Sequence, residues 1–119
     1  KMIRYSFIAL ILFVTSCSTG LMEIEEPDNL ISKPKMVKVM KELVKLEAHI
    51  QGSYPSVSEY NKSMLNSSDT LFKRLNVKSD DFEASIDYYG SHQEQMKEIY
   101  DEVLDELNSE LGELQSKEK

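Results

Sequence analysis

The sequence predicts an all-α protein, a small bundle of about four helices that follows an N-terminal signal peptide and a flexible tether. From residue 34 onward the apolar residues recur every three or four positions, which is the spacing of amphipathic helices. No segment shows the alternation of a half-buried strand. The 119 residues suffice for one domain at most. We therefore divide the chain into a signal peptide (1–16), a lipidated cysteine with its tether (17–33) and a helical domain (34–119).

The composition argues against several classes of partner, metal site and catalytic site. The chain has 14 Lys and Arg against 21 Asp and Glu, a net charge of −7, which argues against nucleic acid as a partner because phosphates require a basic surface. A single cysteine excludes an internal disulfide framework and any zinc site built on several cysteines. No nucleophile–histidine–acid set, metal-binding HExxH motif or phosphate-binding glycine loop is present. We expect no enzyme activity, no catalytic residue, no bound metal and no cofactor.

The N-terminus has the pattern of an export signal. Lys1 and Arg4 precede eight consecutive apolar residues, 7–14. A signal peptide has an apolar region of about 7–15 residues, whereas a helix that spans a bilayer needs roughly 20. The stretch is therefore predicted to direct export and not to cross the membrane.

Small residues then lead into the only cysteine, as Val14-Thr15-Ser16-Cys17. This stretch resembles the lipobox of bacterial lipoproteins, in which the thiol receives a diacylglyceryl group and signal peptidase cuts before the cysteine. The resemblance implies that Cys17 is the lipid anchor and that Val14, Thr15 and Ser16 are recognised by the peptidase. A buried structural cysteine and an ordinary secretory cleavage site are the alternatives. Cleavage would remove two basic residues, which leaves 12 against 21 acids and a net charge of −9.

Proline and apolar spacing mark the first two helices. Pro34 suits a first helical turn, with Ser32 as a candidate cap, and the helix is expected to end within 51–55. The second helix follows Pro55, and residues 66–69 in its middle have poor helix propensity, so a kink or break is left open there. The apolar residues of the two helices are Met36, Val37, Met40, Leu43, Val44, Leu46 and Ile50, and then Val57, Tyr60, Met64, Leu71, Phe72 and Leu75.

Local signals also mark the last two helices. Residues 76–78 are predicted to form a turn, Ser79 to cap the third helix and Gly90 to end it. Ser91 and Glu94 have the spacing of a capping box for the fourth helix. The apolar residues are Phe82, Ile86 and Tyr89 in the third helix, and Met96, Ile99, Tyr100, Val103, Leu107, Leu111 and Leu114 in the fourth.

The fourth helix supplies the candidate partner face. Its apolar seam is long enough for roughly six turns, and we expect the helix to extend beyond the others. Part of the seam, at Leu107, Leu111 and Leu114, should then stay exposed for a partner protein.

Charged segments leave two interpretations open. Thirteen carboxylates lie between residues 80 and 118, and they could form either a docking face for a basic partner or cations, or a solvated face. Five lysines between residues 33 and 45 could pair with these acids inside the domain or contact another protein.

The two histidines do not indicate a metal site. His49 and His92, with Met96 one turn after His92, fall short of the three or four converging ligands that a metal requires.

One tripeptide indicates a modification site. Asp69-Thr70-Leu71 resembles the short site, acid then hydroxyl then apolar residue, at which exported Bacteroidota proteins are O-glycosylated. Thr70 is therefore a candidate O-glycosylation site.

A longer pattern carries a family resemblance. Residues 81–89 read D-F-E-A-S-I-D-Y-Y, and the segment from Met96 to Val103 ends in I-Y-D-E-V. Together with the lipobox, this order resembles a family of short Bacteroidota lipoproteins with a domain of unknown function (DUF4296-like). The resemblance implies a small helical envelope lipoprotein, and it makes Ser85, Tyr89 and Tyr100 motif positions without assigning them an activity.

The sequence therefore predicts a lipid-anchored lipoprotein of the outer membrane that faces the periplasm, with exposure on the cell surface as an alternative. Its predicted role is that of a non-enzymatic interaction or accessory module with an envelope protein as partner. A periplasmic lipoprotein that binds a small ligand or a cation is the alternative.

Overall fold

The structure, a computed structural model, describes residues 22–54 and 56–118. They form four helices, α1 (Lys33–Ser53), α2 (Val57–Arg74), α3 (Ser79–Ser91) and α4 (Gln93–Lys117), and no strand. The all-α prediction is confirmed. The predicted signal peptide and Cys17 lie outside the described residues.

Helix α1 is the centre of the bundle, since it packs against both α2 and α4, while α3 packs against α4. Pro34 stands in its first turn, as predicted. Ser32 is at the N-cap position, where its carbonyl accepts a hydrogen bond from the Met36 amide at 2.8 Å, but its side chain caps nothing.

Helix α2 is continuous, so the kink or break left open at residues 66–69 does not occur. The hydroxyls of Ser68 and Thr70 donate to helix carbonyls one turn back, at 3.1 and 3.0 Å. These bonds occupy the hydroxyls that would otherwise compete with the helix. The N-cap is Ser56, whose hydroxyl accepts from the Glu59 amide at 3.3 Å.

The turn predicted at residues 76–78 lies one residue earlier, at 75–77, and it closes α2 through a Schellman motif. Asn76 has a left-handed backbone, with φ 53°. Its amide donates to the Lys73 carbonyl at 3.1 Å, and the Val77 amide donates to the Phe72 carbonyl at 2.9 Å. The two bonds satisfy carbonyls that the helix end would otherwise leave free.

The predicted cap of α3 is wrong by one residue. Lys78 has the extended backbone of an N-cap, and Ser79 is already the first helical residue. The Schellman turn ends at Val77, so a single extended residue remains before the chain turns into the helix.

The predicted boundary between α3 and α4 is also corrected. Gly90 has no positive φ, the conformation by which glycine ends a helix, and α3 continues to Ser91. Ser91 consequently cannot cap α4, and its hydroxyl instead donates to the Tyr88 carbonyl at 2.8 Å. His92 occupies the cap position of both helices, and its side chain makes no capping bond to α4.

The main core lies where α1, α3 and the first half of α4 meet the incoming chain. Met36, Val37 and Ile99 are at most 1% exposed. The buried cluster consists of Ile31, Met36, Val37, Met40, Tyr88, Tyr89, Ile99 and Val103. Because Ile31 belongs to this core, the last part of the predicted tether packs against the helical body.

Candidate interaction surfaces

Helices α1 and α4 are joined by a row of ion pairs. Lys33 contacts Glu98, Lys41 contacts Glu106 at 2.7 Å and Lys45 contacts Glu110 at 2.9 Å, and 65 residues separate the partners in every pair. A constant separation means that the two helices run parallel and in fixed register. Three of the five lysines of residues 33–45 therefore pair with acids inside the domain, and a fourth, Lys35, donates to the Asn76 carbonyl.

Glu110 is the acid most involved in this row. It accepts hydrogen bonds from both Lys41 and Lys45, at 2.8 and 2.9 Å. These bonds hold the pKa of the Glu110 carboxyl below its ordinary value. The pKa of Lys41 is raised by its hydrogen bonds to Glu106 and Glu110, and that of Lys45 by its bonds to Glu110 and Glu42.

The register of α1 and α4 shows that the partner face is not exposed for the reason expected from the sequence. A separation of 65 residues places Lys117, the end of α4, beside Gly52, near the end of α1. Helix α4 therefore does not extend past α1 at this end. Glu106 and Glu110 occupy the side that faces α1, so the leucines of the last turns lie beside that contact and not in it.

Four leucines and one tyrosine of α4 form an open row, which we call the α4 seam, at residues 100, 104, 107, 111 and 114. Leu107 is partly buried against the core, whereas Leu111 is 54% and Leu114 60% exposed. Two further members, Tyr100 and Leu104, are 52% and 57% exposed. Leu104 was not identified as a candidate from the sequence, although its distances of four residues from Tyr100 and three from Leu107 would have revealed it.

A second feature is the attachment of the tether to α3, at Ile31. The Ile31 amide donates to the Ser85 hydroxyl oxygen at 3.0 Å, and its carbonyl accepts from the Tyr89 hydroxyl at 2.7 Å. Ser85 is 0% and Tyr89 2% exposed. The Ser85 hydroxyl itself donates to the Asp81 carbonyl at 2.6 Å. Burial raises the pKa of the Tyr89 phenol, which is protonated at neutral pH in any case and so can donate.

This attachment explains two of the three motif positions. Ser85 and Tyr89 hold the peptide groups of a residue that precedes the first helix, so their role is to fix where the tether joins the body. Tyr100, the third position, points largely into solvent. A further contact lies nearer the N-terminal end of the tether, where the Ile24 amide donates to the Ser91 hydroxyl oxygen at 3.1 Å.

A groove of about 510 Å³ lies between α1 and α2. Its apolar members are Leu46 and the buried Leu71. Arg74 and Glu42 lie at its rim, with their charged groups 3.5 Å apart. Thr70 also lines the groove; it is exposed, and its hydroxyl donates to the Asn66 carbonyl.

The histidines are far from forming a metal centre. Nδ1 of His92 lies 2.8 Å from the Tyr88 carbonyl, and its ring packs on the Tyr88 ring at a centroid distance of 4.3 Å. His49 lines the groove between α1 and α2. Within residues 22–54 and 56–118, no group of three or more acidic, histidine or cysteine side chains could hold a metal ion. No helix in this part of the chain is long and apolar enough to cross a bilayer.

Comparison with known proteins identifies the family. The family model described as "Domain of unknown function (DUF4296)" matches residues 27–113, which include Ile31, its attachment to α3 and most of the α4 seam. No curated protein and no solved structure shows significant similarity to the chain. With a match over most of its length, the chain belongs to the family defined by this domain of unknown function, DUF4296.

Proposed function

We propose that the chain is a lipid-anchored lipoprotein of the outer membrane, facing the periplasm, and that it acts there as a non-enzymatic interaction module. Cys17 is the proposed anchor, and Leu107, Leu111 and Leu114 are the proposed partner face. The observation that carries the proposal is the α4 seam, in which Leu111 and Leu114 are more than half exposed.

Single exposed leucines are common on protein surfaces, but a continuous row of them is not. The seam lies on a helix with eight carboxylates, so the apolar row stands out against an acidic surface. Rows of this kind mark contacts with other proteins. This supports an interaction role over a purely solvated face.

A lipid anchor would allow a contact of low affinity to form on the membrane. Residues 17–31 can reach at most about 50 Å when fully extended, at about 3.5 Å per residue. The domain would therefore stay within that distance of the membrane, where confinement raises the effective concentration of its partner. Each buried methylene contributes about 0.8 kcal/mol, and stable anchoring takes more than one acyl chain, which lipidation of this class supplies.

The test combines mass spectrometry with site-specific cross-linking in cells. The intact mass of the membrane-extracted protein should show acyl chains on Cys17 and cleavage after Ser16, and Cys17→Ala should abolish both. A photo-reactive residue at position 111 should cross-link to a discrete envelope protein, whereas the same residue at position 65, where Leu65 is 72% exposed on α2, should not. Unlipidated protein, or equal cross-linking from both positions, would contradict the proposal.

The same mass measurement tests Thr70. The exposure of its side chain supports the proposal that Thr70 is O-glycosylated after export. A hexose-containing mass increment should appear in exported protein and be absent from Thr70→Ala. An unmodified mass in both proteins would rule the site out.

The groove between α1 and α2 favours the second candidate, a periplasmic lipoprotein that binds a small ligand. Its volume falls in the usual range for small-molecule sites, roughly 300–1,000 Å³, and it combines apolar side chains with a few charged ones. A ligand screen by NMR should then shift the resonances of Leu46 and Leu71, and Arg74→Ala should weaken binding. Hits that leave these resonances unchanged would reject the groove as the site.

A further inference from the structure

We infer that the α4 seam is a self-association surface, and that its occupant is the α4 seam of a second copy of this chain, packed in parallel. The inference rests on the proposed function, because it names the partner of the same surface. It follows from the spacing of the seam, the charges along its borders and its length.

The seam has the spacing of a coiled coil. Its members, residues 100, 104, 107, 111 and 114, are separated alternately by four and three residues, which is the heptad pattern of two packed helices. Helix α1 does not cover this row, because its lysines contact α4 through Glu106 and Glu110. The seam is therefore shaped for another helix.

The borders of the seam do not select a basic partner. With Leu104 and Leu111 at heptad position a, only two carboxylates, Asp101 and Glu110, fall at the bordering positions e and g. Asp101 is paired with Lys97, and Glu110 with Lys41 and Lys45. The other carboxylates between residues 100 and 114 fall at the outward positions b, c and f: Glu102, Asp105, Glu106 and Glu113.

A second copy fits these borders without bringing two like charges directly opposite each other. In a parallel pair, each g residue faces the e residue of the following heptad on the partner helix. No such pair joins two charges, since the pairs are Met96 with Asp101, Val103 with Asn108 and Glu110 with Gln115. The g side of the seam lies along α1, where Val103 is buried in the core of its own chain at 3% exposure and Glu110 is held by Lys41 and Lys45. A second copy would therefore approach from the e side, and the g side presents no unpaired carboxylate to it. Two copies of this acidic helix can thus approach along the seam, and the tethers of both copies leave on the same side, as two anchors in one membrane require.

The length of the seam limits how strongly two copies can associate. From Tyr100 to Leu114 the helix extends about 21 Å, at 1.5 Å per residue. One helix pair of this length buries less than the roughly 1,200 Å² of a stable complex. We therefore expect a weak dimer in dilute solution that forms efficiently only where the protein is concentrated, as on a membrane.

Sedimentation equilibrium of the purified chain with Cys17→Ser tests the dimer. The average mass should rise from monomer towards dimer with concentration, and more so at high salt, because screening reduces repulsion between the two acidic molecules. Leu111→Lys should weaken association about tenfold or more, while Leu65→Lys on α2 should leave it unchanged. A monomer at every concentration, or a dimer that Leu111→Lys does not affect, would overturn the inference.

Disulfide trapping tests the parallel register in the same background. Residues at position a meet their own counterparts in a parallel pair, so Leu111→Cys should oxidise to a covalent dimer much faster than Ser109→Cys, which lies at the outward position f. Equal rates would indicate random collision and overturn the inference. Cross-linking in cells from position 111 to a different protein, with no self-association in solution, would also overturn it while leaving the proposed function in place.

Discussion

Ser85 and Tyr89 are the residues whose roles the structure defines most sharply. Each satisfies one backbone group of Ile31, which is itself buried. A buried backbone group that loses its hydrogen-bond partner costs about 1–3 kcal/mol. The two side chains should therefore contribute to stability as well as to the position of the tether.

Ser85→Ala should lower the free energy of unfolding by about 1–3 kcal/mol, because the Ile31 amide loses its acceptor in the core. Tyr89→Phe should have a similar effect through the Ile31 carbonyl. Urea unfolding measures both losses, and hydrogen exchange should show faster exchange of the Ile31 amide in Ser85→Ala. Ser116→Ala is the matched control, since its hydroxyl contacts only the Glu113 carbonyl at an exposed helix end. Equal stability of Ser85→Ala and this control would refute the assigned role.

At the scale of the helices, the end of α2 depends on one residue, Asn76, in the left-handed conformation. This conformation costs most side chains about 1–2 kcal/mol, costs asparagine less and costs glycine nothing. Asn76→Ala should therefore destabilise the protein by about 1 kcal/mol, while Asn76→Gly should be at least as stable as the parent.

Asn61→Ala provides the comparison for this prediction, because Asn61 is exposed within α2 and has a helical backbone. There alanine improves helix propensity and should not destabilise the protein. Thermal unfolding of the three variants separates the two environments. If Asn76→Ala and Asn61→Ala shift the midpoint equally, the left-handed backbone is not what makes Asn76 important.

The helices themselves could be predicted from the sequence because their apolar spacing is regular over many residues. Their boundaries at Ser79, Gly90 and Ser91 could not, because several residues there have capping chemistry and the backbone selects among them. In particular, Gly90 would end α3 only with a positive φ, and the chain continues in helical conformation to Ser91.

Of the candidate surfaces, the one built within a single helix could be predicted from the sequence, and the contacts between distant segments could not. The spacing within one helix identifies Leu111 and Leu114 as members of an apolar row before the structure is known. Their exposure comes from their place beside the α1 contact, and not from the expected extension of α4 beyond the other helices. The attachment at Ile31 joins residues 54 and 58 positions apart, and no local pattern links them. The pairing of lysines with acids across 65 residues likewise appears only once the register of α1 and α4 is known.

For the molecule as a whole, the main electrostatic feature is that most of the basic segment pairs internally. Lys33, Lys41 and Lys45 of α1 contact acids of α4, and the exterior is acidic overall, with the α4 seam as an apolar row on it. The ion pairs do not create the bundle, since exposed pairs are individually weak. They are consistent with one register, in which the seam lies beside the α1 contact and stays open.

This arrangement predicts how stability responds to acid. The pKa of Glu110 in the folded protein lies below its ordinary value of 4.5, because Lys41 and Lys45 donate hydrogen bonds to the carboxylate. Its contribution is therefore fully present above pH 4.5 and is lost as the pH falls through the lower, folded pKa. Glu110→Gln should be slightly less stable than the parent at pH 7, and the difference should shrink towards zero below that pKa.

Glu113→Gln is the control, because Glu113 makes no ion pair with the described residues. Urea unfolding at a series of pH values should show a converging pair of curves for Glu110→Gln and parallel curves for Glu113→Gln, and added salt should reduce the neutral-pH difference. A constant difference at all pH values would mean that Glu110 acts through packing and not through its charge.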